Sequence, residues 1–194
     1  MIGYDDDCIV FTDEKPFSIT HTRSRGRSKR GTVAITTLKR TRGKNITLIA
    51  AMSPKYGMLH HIIISNRTTT GAVYAQFIHE LLKQNIFLYK PMIVLQDNAS
   101  IHKTDEVKEE YKGQKYKHTY RYIPPYSPQL NPIELVFSQL QSYIHNNKDN
   151  INNDKDLITY INKAVESVSV EDCKGYYRHV TRYYTKCIDM KDLI

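Results

Sequence analysis

At 194 residues, 40% apolar and 25% charged, the chain has the size and composition of one globular domain with room for a continuous core. It carries no run of 18 or more apolar residues and no recognisable secretory leader, so a membrane or secretory reading has little support. Its formal charge of +8 favours a polyanionic partner instead.

In chain order, residues 9–12 read as a short apolar strand, residues 32–38 as a β-branched strand and residues 45–52 as another. The turn Ser53-Pro54-Lys55-Tyr56-Gly57 joins that last run to residues 58–65, which predicts a hairpin. Residues 71–85 are expected to be helical, since Tyr74, Ile78, Leu81 and Leu82 share one face. Residues 92–96 form a continuous apolar run of the kind found in central strands. Thr104 stands where it can cap a short charged helix reaching residue 112. Residues 116–123 alternate and read as a strand ending at Pro124-Pro125.

A helix then opens with a strong start signal. Asn131 suits the N-cap, Pro132 the first helical position, and Glu134 the third. The apolar stripe Ile133, Val136, Phe137, Leu140 and Ile144 leaves Glu134 on its flank, roughly 100° from Ile133. Residues 145–154 are polar and Asn-rich, a linker, and two further helices follow over 155–167 and 170–186. This order fits a mixed α/β sheet covered by helices. Residues 1–147 are expected to form one domain, with 148–194 a linker and a C-terminal helical extension.

Charge is placed unevenly. Between Lys15 and His79 there is no Asp or Glu, yet twelve Lys or Arg occur, ten of them between Lys15 and Lys44. A solvated loop mixes signs, so this one-sign stretch fits contact with nucleic acid. The cysteines, Cys8, Cys173 and Cys187, show neither close pairing nor zinc-type spacing and read as reduced intracellular thiols. His60 and His61 point to opposite faces of one strand and read as structural.

Three carboxylates stand where a fold presents side chains. Asp13 closes the first apolar run, Asp97 closes the run 92–96, and Glu134 opens the helix after the proline-rich turn. Singly, each has a plain reading: a polar strand end, a turn with Asn98, a capping box with Asn131. Jointly, acids at the ends of neighbouring strands can converge and hold divalent metal, which in a basic protein points to phosphodiester chemistry. Ser100, His102 and Lys103 follow Asp97 closely, as suits a loop near substrate phosphates. No nucleophile-elbow glycine pattern surrounds any serine.

The segments Phe11-Thr12-Asp13-Glu14, Leu95-Gln96-Asp97-Asn98-Ala99-Ser100-Ile101-His102 and the eleven residues from Pro124 to Glu134 resemble the catalytic domain of mariner-like DDE transposases of the Tc/mariner superfamily. The resemblance covers residues 9–147 and implies an RNase H-like fold with a five-stranded mixed sheet. It also implies that Asp13, Asp97 and Glu134 are a catalytic triad holding two Mg²⁺ or Mn²⁺ ions, supported by Asn98 and His102. Such enzymes hydrolyse DNA at transposon ends and join the freed 3′ hydroxyl to target DNA. By the same likeness Arg23, Arg25, Arg27, Lys29, Arg30, Lys39, Arg40, Arg42 and Lys44 would track the DNA backbone, positioning more than specifying it. A homodimer and a nuclear site are further implications.

Family members carry helix-turn-helix regions ahead of this domain, whereas here the first catalytic strand begins within about ten residues of Met1. That predicts a catalytic domain without its DNA-binding head. The alternatives are a transposon-derived protein that binds DNA without cutting, and an RNase H-like nuclease acting on RNA or a hybrid. The tail segments Tyr176-Tyr177-Arg178-His179 and Arg182-Tyr183-Tyr184 either grip nucleic acid or pack as a helix.

Overall fold

A computed structural model describes residues 5–19, 28–33, 46–65, 68–112 and 114–188. Of the strand expected over 32–38, Thr32 and Val33 are described and are not in a strand, while 34–38 and most of the basic stretch lie outside the described residues. Five strands form one sheet: β1 (Ile9–Phe17), β2 (Ile46–Ser53), β3 (Gly57–Ser65), β4 (Ile93–Gln96) and β5 (Thr119–Tyr122). Their spatial order is β3-β2-β1-β4-β5. β1, β2 and β3 pair antiparallel, whereas β4 lies parallel to both β1 and β5. Among the described residues five helices cover the sheet: α1 (Gly71–Leu82), α2 (Asp105–Glu110), α3 (Ile133–Asn146), α4 (Asp154–Glu166) and α5 (Val170–Ile188).

The alternation of the strands divides the core into two layers. On one face Ile9, Phe11, Leu48, Ala50, Met52, Ile93 and Leu95 pack with Ile133, Val136, Phe137 and Leu140 of α3, and with Leu157 and Ile161 of α4 and Cys173 and Tyr177 of α5. On the other, Val10, Ile49, Ala51 and Val94 meet Tyr74, Phe77, Ile78 and Leu81 of α1 and Val107 of α2. α4 and α5 thus share a core with the first domain's strands.

The expected hairpin forms between β2 and β3, turning through Gly57 at φ +77°, a left-handed conformation that glycine adopts without a Cβ penalty. His60 stacks on Phe77 of α1, and His61 meets Asn162 of α4, on opposite faces as expected. The 3-10 turn Lys148–Asn150 and buried Ile151 occupy part of the expected linker.

Two local expectations are corrected. β1 does not stop at residue 12; it runs to Phe17 because β2 stays beside it, from Phe11 opposite Met52 to Phe17 opposite Ile46. What ends near Asp13 is the parallel partner β4, whose pairing with β1 covers only Ile9, Val10 and Phe11. Thr104 precedes α2, but its hydroxyl makes no cap and is buried without a partner, pressed toward Gly71 at the start of α1.

Candidate active site

Register places the three acids. Phe11 lies opposite Leu95 on parallel neighbours, so two residues further on Asp13 and Asp97 stand level. With a period of two they leave the same face as Phe11 and Leu95, the face that α3 covers. Glu134 sits in the first turn of α3, beside buried Ile133. The result is one open pocket of about 400 Å³ lined by Asp13, Asp97, Asn98, Asn131, Glu134 and the turn Pro124–Pro128. Among the described residues no three His, Cys, Asp or Glu side chains are drawn close enough to grip an ion unaided.

The two aspartates are held by different partners. Asp97 receives the Ala99 N–H (3.0 Å) and the His102 Nδ1–H (2.6 Å) on its Oδ1. The His102 hydrogen bond is the main cause that holds the Asp97 carboxyl below its usual range. His102 is only 1% exposed; its Nε2 lies 3.3 Å from Glu14 Oε1, and its ring lies 4.0 Å from that of Tyr74. Burial by itself would lower the imidazole's pKa, but hydrogen bonds to Asp97 and Glu14 outweigh it and carry it up to about 9. Both ring nitrogens therefore donate, as an imidazolium. The Tyr74 hydroxyl is fixed in turn by Gln96 Oε1 (3.0 Å) and Thr12 (2.9 Å).

Asp13 receives the Glu14 N–H on Oδ1 (2.7 Å) and the Asn131 amide on Oδ2 (2.9 Å). Burial, followed by the charges of Glu134 and Asp97, pushes its pKa up to about 7.

Asn131 is the pocket residue to which sequence reasoning gave another place. It was expected to cap α3; instead Pro132 occupies that position and no side chain caps the helix. Its amide reaches 118 positions back to Asp13, and its Oδ1 is buried with no hydrogen-bond partner. The signal was present in the run Asn131-Pro132-Ile133-Glu134, but helix-cap chemistry explained it equally well. Asn98 is exposed at the pocket wall. Of the expected DNA-contacting cations, Lys29 and Arg30 are exposed; Arg23, Arg25, Arg27, Lys39, Arg40, Arg42 and Lys44 lie outside the described residues. The tyrosine-rich tail packs as a helix: Tyr176 donates to Gln139, Tyr177 to Asp6 and Tyr184 to the Leu130 carbonyl.

The donor set fits a hard divalent cation. Three carboxylates offer only oxygen, the ligand type such ions prefer. Buried Asn131 Oδ1 still lacks a partner, and the elevated Asp13 pKa reflects repulsion and burial that positive charge would relieve.

A five-stranded mixed sheet, with two acids just past paired parallel strands and a third in the first turn of a covering helix, is an RNase H-like arrangement. The sequence profile of the DDE superfamily endonucleases matches residues 8–158, and the chain belongs to that family. Among solved structures, the chain is similar to the pre-cleavage Mos1 transpososome (18% identity, TM-score 0.74, 95% of this chain and 56% of that one). It is similar also to the Mos1 mariner paired end complex with Mn (19%, 0.74, 96% and 56%). The isolated catalytic domain of Mos1 mariner transposase superposes as well (15%, 0.67, 95% and 82%). At these identities the likeness establishes the fold. The chain spans 56% of the first of those transposases. No curated protein sequence matches it significantly.

Proposed function

We propose that this chain is a DNA endonuclease and strand-transferase domain of transposase type, with Asp13, Asp97 and Glu134 holding two Mg²⁺ or Mn²⁺ ions. The observation that carries the reading is the meeting of these three acids, from two parallel strands and one helix start, in a single pocket. Family membership and the solved relatives, one a paired-end complex with Mn and another with Mg, support it. When bound, the ions neutralise the scissile phosphate and acidify the attacking water. The protein's own part is positioning. His102 and Ala99 fix Asp97 through Oδ1, the Asn131 amide fixes Asp13 through Oδ2, and Asn131 Oδ1 retains its capacity to accept a hydrogen bond. Asn98 borders the same space. The basic residues from Arg23 to Lys44 supply backbone contact with DNA. A homodimer on two DNA ends and a nuclear location belong to the same reading.

The test is nicking of supercoiled plasmid with Mg²⁺ or Mn²⁺. The parent should nick, and Asp97→Ala should show no detectable nicking while keeping its circular dichroism and its retention of DNA. Equal cutting by the variant would overturn the assignment. Retention of DNA by the parent without cleavage under either ion would instead favour the DNA-binding alternative.

A further inference from the structure

Tyr126 is wholly exposed, at 100% of its accessible surface, the most exposed of the large apolar side chains described. It is also the one non-glycine residue with positive φ among the described residues, at +57°. A bulky residue in that backbone region is uncommon, and such outliers concentrate at functional sites. Its surroundings hold it there. Pro124 and Pro125 precede it, Pro128 follows, and the Ser127 hydroxyl closes back on the Pro125 carbonyl at 3.2 Å. Prolines fix their own φ and restrict the residue before them, so the backbone that carries the ring is held in one place. That place is the wall of the pocket containing Asp13, Asp97 and Glu134.

No core contact accounts for a fully exposed ring, and the stretch that carries it suits an anion-bearing partner. Residues 111–133 contain no Asp or Glu but include Lys112, Lys115, Lys117 and Arg121. Arg121 is exposed on β5, which leads into the turn, and Lys103 lies over the Tyr122 ring at 5.4 Å. An exposed aromatic ring on a stretch of chain that carries cations and no acids suits unpaired bases, which stack on aromatic side chains independent of their sequence.

Resting on the proposed DNA reading, we infer that Tyr126 is a stacking platform for one unpaired nucleobase of the strand whose phosphate enters the acid pocket. A base inside a duplex has both faces covered, so the subsite selects single-stranded or frayed DNA next to the reacting phosphate.

The test uses the full chain with Ca²⁺ in place of Mg²⁺ and two short labelled duplexes, one blunt and one with a single-stranded 3′ overhang carrying 2-aminopurine. The parent should bind the overhang duplex more tightly and alter its 2-aminopurine fluorescence. Tyr126→Ala should weaken overhang binding on the order of 10- to 100-fold and abolish the fluorescence change, with blunt-duplex affinity and melting temperature unchanged. Tyr126→Trp should preserve both signals. If Tyr126→Ala matches the parent on the overhang duplex, the stacking inference falls while the DNA reading stands. If the parent binds neither duplex, both fall.

Discussion

Asp13 and Asp97 stand level on adjacent parallel strands, yet the Asp97 side of the pocket is built for a charge and the Asp13 side is not. Asp97 faces a buried imidazolium and a backbone N–H, and its carboxyl is held acidic. Asp13 has only a neutral amide and one N–H, and burial drives its pKa to about 7. The partners of one acid favour its charged form, while the surroundings of the other favour its neutral form.

The comparison breaks most visibly at His102. His102→Ala leaves Asp97 and Glu14 without their shared cation; because Asp97 is half exposed and water screens it, the expected cost is that of charged hydrogen bonds, about 1.5–3 kcal/mol. Urea unfolding should show a loss of that size, and a loss under about 1 kcal/mol would mean the imidazolium supports nothing.

The Asp13 side sharpens through pH. Its folded pKa is raised from 3.8 to about 7, so the folded metal-free protein keeps a proton that the unfolded chain has released. Stability should therefore fall as pH rises across that window. His102, raised from 6.5 to about 9, gives stability that is full below 6.5 and lost as pH climbs to about 9. Each window is worth on the order of 3 kcal/mol. Asp13→Asn should flatten the lower window alone, making the metal-free protein more stable at pH 8 while removing the rise in melting temperature caused by Mg²⁺. A variant still destabilised between pH 4 and 7 would place the raised acid elsewhere.

Asn131→Ala should act more gently. Losing one buried hydrogen bond costs about 1–2 kcal/mol, and cation affinity should weaken about 10- to 100-fold, as for other groups that orient metal-holding residues. Isothermal titration with Mn²⁺ reads this directly, and an unchanged affinity would reduce Asn131 to a packing role.

The parts of this site that were legible in the sequence are those with a local signature. An acid after an apolar run, and an acid three residues past Asn131 following a proline-rich turn, can be read without any partner, and both lead to the pocket. Glu134 could be placed on the flank of its stripe because helical periodicity is self-contained. What was illegible depends on distant chain. The Asp-Glu-Lys-Pro sequence after Thr12 resembles a turn, and only β2, some thirty residues later, keeps it extended. Asn131 has the local grammar of a helix cap, and its true partner is on β1. Thr104 looked like a cap for the same reason, but packing against Gly71 takes its side chain elsewhere.

Helix α5 has a consequence for where this domain can be cut. Tyr177 ties α5 to Asp6, just ahead of the first catalytic strand, and Tyr184 ties it to Leu130, the residue before Asn131. α5 thus acts as a splint across the two stretches that deliver Asp13 and Glu134. The family match ends at residue 158, so a piece trimmed to that boundary would keep every acid and lose the brace that sets their spacing.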